Sequence, residues 1–384
     1  MEIHFTPIQE ISPSKAADPD QSICPEYGKK MDDFHEGDVL LHPRSITIQA
    51  ESAFEYTSTF HEACPLYRSR EYALSHGFTD IPVHPLHAFN IALSLGVQNN
   101  SEQAVANLGY YNLYFLQPVY PGDTIRSISK VLEKKDRGDK PGIVKVKTAA
   151  LNQKHEVILH YERKIMIPPG KTSATSSAAG LPFPDTGLTA VLPDFKTCPE
   201  SMISQTSANT YFEDFNEGQI IVHKNMRTIT DEHIPWTYRV GNTHPLHYDE
   251  IFASGLSGDM GGRPVVYGGL VFSWLAGLAG RDCTENVLWE KSYTEGYHTR
   301  PAFSRDTIGS ITRILKKSDG PVQGTGTLQM QLIGVKNIKT MDAIQKFGKE
   351  LFIKEIDKKK MNLEKIENKI FEIERELIIK KRPV

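Results

Sequence analysis

Asp33-Phe-His-Glu-Gly-Asp-Val-Leu-Leu-His42 returns later in the chain as Asp214-Phe-Asn-Glu-Gly-Gln-Ile-Ile-Val-His223, an offset of 214 − 33 = 181 residues. The echo continues downstream. Arg44-Ser-Ile-Thr matches Arg227-Thr-Ile-Thr, and Pro118-Val-Tyr-Pro-Gly-Asp-Thr-Ile-Arg-Ser-Ile-Ser-Lys-Val-Leu132 matches Pro301-Ala-Phe-Ser-Arg-Asp-Thr-Ile-Gly-Ser-Ile-Thr-Arg-Ile-Leu315. Three blocks recurring in the same order identify a tandem duplication.

Each copy has the same coarse plan: an opening strand, short helical pieces and a loop, one long apolar helix, then strands of alternating Val/Ile/Thr pattern. In the first copy the helix lies near Val83–Val97, with Leu86, Phe89, Leu93 and Val97 on one face. The strands after it are expected at Asp123–Lys134, Gly142–Asn152 and Glu156–Ile167. One buried helix against consecutive strands is an α+β arrangement, an antiparallel sheet wrapped on a helix. The expected organisation is an irregular lead-in (1–30), a first domain (31–168), a Ser/Thr/Ala/Pro-rich linker (169–207) and a second domain (208–384). The second domain carries a Lys/Glu-rich insertion near 338–369, expected to be helical with a solvated face. A last strand is expected from about residue 370, where Phe371-Glu-Ile-Glu-Arg375 resembles Leu159-His-Tyr-Glu-Arg163.

Composition sets outer bounds. At 384 residues the chain is long for one core and comfortable for two. With 39% hydrophobic residues, 24% charged and a net charge of −3, it has no basic excess that would attract nucleic acid. It also has no apolar run of about 18 residues that could span a bilayer. Met1–Lys30 lacks the basic-then-apolar pattern of a secretory signal. Cys24, Cys64, Cys198 and Cys283 are scattered and make no CxxC pair, so neither a disulfide framework nor a zinc site is signalled. These features lead us to expect a reduced cytoplasmic protein.

The chemistry concentrates in Gly241-Asn-Thr-His-Pro-Leu-His-Tyr-Asp-Glu250 and the helix start Val266-Tyr-Gly-Gly269 that follows. His247 carries an imidazole of near-neutral pKa, suited to accept or deliver a proton. Asn242 is able to orient water or a substrate group but cannot take a proton. The N–H groups at Tyr267-Gly268-Gly269 suit a developing anionic oxygen, although two glycines serve tight helix packing equally well. Ser273, one turn on, is read either as a pocket residue or as a satisfied buried hydroxyl.

With these blocks in view, the chain resembles the MaoC-like dehydratases built as tandem, or double, hotdogs. Among these it is most similar to the mesaconyl-CoA hydratases, also called β-methylmalyl-CoA dehydratases. The resemblance rests on Ala104-Val-Ala-Asn-Leu-Gly-Tyr110 and Phe115–Thr124 in the first copy. In the second it rests on Asn242, His247, Val266–Gly269, and His298 ahead of Pro301, Phe303, Asp306 and Thr307. It implies a hydro-lyase that adds water to, or removes it from, a double bond conjugated with an acyl-CoA thioester, at the interface of two hotdog units. It also implies His247 and Asn242 as catalytic residues, Asn242 standing where (R)-hydratases carry Asp. Tyr267, Gly268, Gly269, Ser273 and His298 would contact substrate, and Arg263 and Arg300 would meet its carboxylate or the CoA phosphates. His244, Asp249 and His298 are possible aids to His247. No metal or redox cofactor is expected, CoA arriving with the substrate, and further association into a homo-oligomer, a dimer or higher, is expected. In the first copy, Tyr67 replaces the histidine and Glu62 falls at the Asn242 position, so that copy is expected to serve as partner rather than catalyst, with His84 and His87 structural. The competing readings are a hydratase for simple (R)-3-hydroxyacyl chains and an acyl-CoA-binding module without catalysis.

Overall fold

The computed structural model describes residues 22–172, 182–185, 188–197 and 200–383. The lead-in before residue 22, parts of the expected linker (173–181, 186–187 and 198–199) and Cys198 lie outside the described residues. In the first copy, β1 (Val39–Thr47) leads through α1 (Ala50–Thr59) and α2 (Arg70–Ser75) to α3 (Pro85–Leu95). Then come β2 (Ala106–Phe115), β3 (Thr124–Lys135), β4 (Gly142–Leu151) and β5 (Val157–Ile167). In the second copy, β6 (Ile220–Thr228) leads through α4 (His233–Arg239) and α5 (Glu250–Ser254) to α6 (Gly268–Cys283). There follow β7 (Val287–His298), β8 (Thr307–Asp319) and β9 (Thr325–Lys336), then α7 (Thr340–Phe347), α8 (Glu355–Lys358) and the closing strand β10 (Lys369–Lys380).

The strands make one antiparallel ten-stranded sheet in the order β1-β3-β4-β5-β2-β7-β10-β9-β8-β6. Read inward from either edge, equivalent strands follow in the same order, so the copies meet where β2 pairs with β7. There Tyr110 lies opposite Gly296 and Leu113 opposite Tyr293. This is a double hotdog: α3 and α6 pack on the sheet and on each other. The duplication reaches individual bonds. Ser127 Oγ donates to Ala92 O at 3.0 Å in one copy, and Ser310 Oγ to Leu275 O at 2.6 Å in the other. The Asp123 carboxylate accepts from Tyr120 N at 2.8 Å, and Asp306 from Phe303 N at 3.0 Å.

Between β9 and β10, in place of the short β4–β5 turn, lies the charged insertion. It is helical in part, but its face is not simply solvated. Side chains alternate across a strand: on β8, Ile308 and Ile314 join the central core while Ile311 points to the other face. The insertion covers that face with Ala343, Leu351, Phe352 and Ile366. Several of its charges are buried as pairs, Lys369–Glu372 at 2.8 Å and Lys358–Glu355 at 2.9 Å. Apolar residues spread thinly among lysines were enough to dock it.

Candidate active site

A cavity of about 470 Å³ opens at the seam between the copies. The second copy supplies Asn242, His244, His247, Tyr267, Gly268 and His298, and the first supplies Ser101, the 104–108 stretch, Tyr110 and Arg163.

The loop is shaped by local rules. After α4, Gly241 turns the chain at φ +83°, and a Cβ there would meet Ile46 Cδ1 at 2.8 Å. Asn242 is buried; its N–H donates to Thr237 O at 3.0 Å and its Oδ1 accepts from His244 N at 2.9 Å. Its Nδ2 is thus the end left for the cavity. His244 caps the short turn Pro245–His247, its Nδ1 accepting from Leu246 N at 3.2 Å, while its Nε2 donates to Ala104 O of the first copy at 3.0 Å. Both ring nitrogens being committed, His244 positions the loop. Asp249 caps α5, accepting from Phe252 N at 2.9 Å, and stands outside the cavity lining.

His247 Nδ1 donates to Val265 O at 2.9 Å. That bond fixes the tautomer and leaves the Nε2 lone pair as the basic atom. Burial, with His244 next, pulls its pKa down to about 3, so the ring is neutral at ordinary pH. His298 is neutral for the same reason, its pKa drawn down by burial to about 4, and its Nε2 meets the Tyr110 hydroxyl at 3.2 Å. Tyr267, buried at the N-cap of α6, lies 5.4 Å from the His247 ring between centroids. Among the described residues none accepts from the Gly268 N–H, which opens α6 on the cavity wall.

Four expected residues require correction or refinement. Gly269 faces α3: a Cβ on it would meet Asn90 Oδ1 at 1.8 Å, and Asn90 Nδ2 donates to its carbonyl at 3.2 Å. Ser273 also lies outside the cavity lining, donating to Gly269 O at 2.7 Å and accepting from Asn90 Nδ2 at 3.0 Å. Gly269, Ser273 and Gly277 recur every four residues, a small-residue stripe that brings helices close, and that spacing was visible in the sequence. Arg263 is exposed and stacks on Phe303 at 4.6 Å, away from the lining. Arg300 does line the cavity but is paired to Asp259 at 2.6 Å. Sequence reasoning missed Tyr110, Asn107 and Arg163 of the first copy and Glu355, Ile356 and Lys365 of the insertion, all of which line the cavity.

The counterpart position in the first copy holds a void of only about 20 Å³, lined in part by Leu66, Tyr67 and Phe115. Its polar groups are bonded to one another and to backbone. Glu62 meets His84 Nε2 at 2.9 Å and accepts from Cys64 N at 2.7 Å. Burial pushes the Glu62 carboxyl up, but the bond from His84 and its other partners hold it below the ordinary value. His84 Nδ1 also caps α3, and Pro85 has no N–H to offer.

Comparison with known proteins follows the geometry. Residues 16–339 match the family pattern described as mesaconyl-CoA hydratase. A mesaconyl-CoA hydratase of Cereibacter sphaeroides is 29% identical over 81% of this chain and 90% of its own length. A β-methylmalyl-CoA dehydratase of Chloroflexus aurantiacus is 30% identical over 82% of this chain and 89% of its own. In fold, the crystal structure of a MaoC domain protein from Chloroflexus aurantiacus superposes with a TM-score of 0.79 at 26% identity, covering 94% of this chain and all (100%) of that one. A double-hotdog protein of Mycobacterium tuberculosis gives 0.68 at 16% identity, over 91% and 98% of the two chains. The chain belongs to the mesaconyl-CoA hydratase family.

Proposed function

We propose that this chain reversibly hydrates mesaconyl-CoA to β-methylmalyl-CoA, with His247 as the proton-transferring group. Membership of the family sets the reaction class, a hydro-lyase acting on an enoyl-CoA thioester. The observation that carries the assignment of roles is the tautomer of His247. Its Nδ1–H is spent on Val265 O, and its Nε2 is left basic in a cavity that also holds the Asn242 amide and the free Gly268 N–H. In the forward direction Nε2 takes a proton from water as the water oxygen bonds to the carbon β to the thioester. The π electrons move onto the thioester, whose enolate oxygen accepts from Gly268 N–H, and the imidazolium returns the proton to the α carbon. Asn242 Nδ2 orients the water or the acyl group. Every step is a proton transfer or an addition, so the reading needs neither a metal nor a redox cofactor. Arg300 and Lys365, both on the cavity lining, suit the phosphates of CoA.

Among the described residues no helix is long and apolar enough to cross a membrane. A cytoplasmic enzyme that associates into a homo-oligomer, without nucleic-acid or membrane partners, belongs to the same proposal. The test follows the enoyl-thioester absorbance when the purified protein meets mesaconyl-CoA or crotonyl-CoA. Loss of the chromophore with mesaconyl-CoA, at a kcat/KM well above that for crotonyl-CoA, is the expected result. Faster loss with crotonyl-CoA moves the protein to the hydratases of simple acyl chains, and no change with either leaves an acyl-CoA-binding module.

A further inference from the structure

The two copies differ most where their charges meet the seam. On the closed side, Arg375 of β10 is buried and paired with Glu290 of β7. Its counterpart on the open side is Arg163 of β5. Arg163 lies opposite Tyr110 across β2–β5, as Arg375 lies opposite Tyr293 across β7–β10. By the same register Asn107, opposite Ile165, stands where Glu290, opposite Leu377, stands in the other copy. By register, therefore, an asparagine stands beside Arg163 at the position that holds the carboxylate partner of Arg375.

That exchange recurs at two further positions, Asn99 outside the cavity lining and Asn242 on it. His42 is bonded to Asn99, whereas its equivalent His223 is bonded to Asp282 at 2.8 Å. Asn242 stands where the first copy has Glu62. Three carboxylates of the closed side are amides on the open one. Arg163 is only 5% exposed, yet among the described residues it has no carboxylate partner. Its Nη2 donates to neutral oxygens, Asn100 Oδ1 at 3.0 Å and Ser101 Oγ at 2.8 Å. Among the described residues its Nε has no partner. The cavity's own acids are engaged elsewhere, Asp259 by Arg300 and Glu355 by Lys358. A buried guanidinium with spare donors and no counter-charge is costly unless an anion arrives to meet it.

We infer that Arg163 receives the free carboxylate of a dicarboxylic acyl group, and that the amides at Asn99, Asn107 and Asn242 keep that place open for the substrate's charge. The inference rests on the proposed hydratase reading for the identity of the substrate, but its binding test does not. Succinyl-CoA and butyryl-CoA, neither of which carries a double bond to hydrate, differ in a terminal carboxylate against a methyl group. Calorimetric Kd values for the two are measured on the intact protein, on Arg163→Gln, on Arg163→Lys and on Asn107→Glu. The intact protein is expected to favour succinyl-CoA. Arg163→Gln is expected to reduce that preference about 100-fold, since losing one member of a buried charge pair strands the other. Arg163→Lys should restore part of it. Asn107→Glu copies the pair on the closed side, keeps the arginine, and is expected to reduce the same ratio. In parallel, the kcat/KM ratio for mesaconyl-CoA over 2-methylcrotonyl-CoA should fall in step. An unchanged succinyl-to-butyryl ratio in both Arg163→Gln and Asn107→Glu overturns the inference and makes Arg163 a brace for Asn100 and Ser101. Absence of mesaconyl-CoA turnover in the intact protein, with the binding preference present, overturns the hydratase reading and leaves the carboxylate site standing.

Discussion

At the scale of single residues, the proposal divides labour between a base that moves protons and an amide that only orients. His247→Ala removes the base and should lower kcat with mesaconyl-CoA by about 10²–10⁴-fold. Acyl-CoA affinity should change little, because Gly268, His298 and the first-copy wall remain. A loss confined to KM would instead make His247 a binding residue. Asn242→Asp preserves the acceptor for His244 N but replaces the Nδ2 donor with a second carboxylate oxygen. Placed near a substrate carboxylate in a poorly solvated cavity, that charge is repelled. We expect mesaconyl-CoA kcat/KM to fall roughly 10-fold or more on this account, and faster turnover of mesaconyl-CoA by the variant counts against the stated role of Asn242. The polar loop itself was legible in the sequence, but the roles given to both residues came from the family resemblance, because a His or Asn there serves a turn equally well. Arg163 was equally visible in the aligned β5 and β10 segments. Its meaning depended on what lies opposite it, Asn107 rather than Glu290, and cross-strand register is set by pairing that the sequence does not state.

At the scale of elements, the instructive one is α6. Its start at two glycines was plain in the sequence, but not which glycine did what. Adjacent helical residues point about 100° apart, so Gly268 faces the cavity while Gly269, with Ser273 and Gly277 behind it, faces α3 and the end of α1. Two substitutions separate these faces. A Cβ at Gly268 would stand 2.5 Å from His298 Nε2, the end of a side chain with room to move into the cavity. Gly268→Ala should therefore damage turnover more than folding. A Cβ at Gly277 would stand 1.7 Å from the Phe60 carbonyl oxygen, which is backbone between α1 and the next turn and has no easy escape. Gly277→Ala is expected to cost about 3 kcal/mol of stability, the upper range for overpacking, read as a lowered urea midpoint. If Gly268→Ala lowers the urea midpoint as much as Gly277→Ala does, the division between a catalytic and a packing face is wrong. The insertion shows the opposite difficulty. Its lysines and glutamates suggested solvent, while Leu351 and Phe352 stand too far along the sequence from Ala343 and Ile366 to show that they dock together.

At the scale of the whole molecule, duplication followed by divergence yields one open cavity and one filled counterpart, and both bury neutral histidines. His42 and His87 of the first copy are almost fully buried, and desolvation draws their pKa values down to about 4 and about 3. The unfolded chain protonates these rings near pH 6.5 while the folded one cannot. The stability tied to their depressed pKa is therefore fully present above about pH 6.5 and is lost as pH falls toward 4. For two such groups the slope reaches about 3 kcal/mol per pH unit. Glu62, also held below its ordinary value, adds its loss only below about pH 4.5, where the unfolded carboxyl begins to bind its proton. The candidate site follows the same rule. His247, neutral down to about pH 3, should show no ionisation of its own near 6.5. Calorimetric Tm should thus fall between pH 7 and 5. Over the same range kcat/KM, measured by initial rates on protein that is still folded, should stay level, so that the acid limb of activity coincides with unfolding. A flat Tm across that range contradicts the burial of His42 and His87. An inflection in kcat/KM near 6.5 on folded protein contradicts the buried, Val265-anchored state of His247, and with it the tautomer on which the proposed chemistry depends.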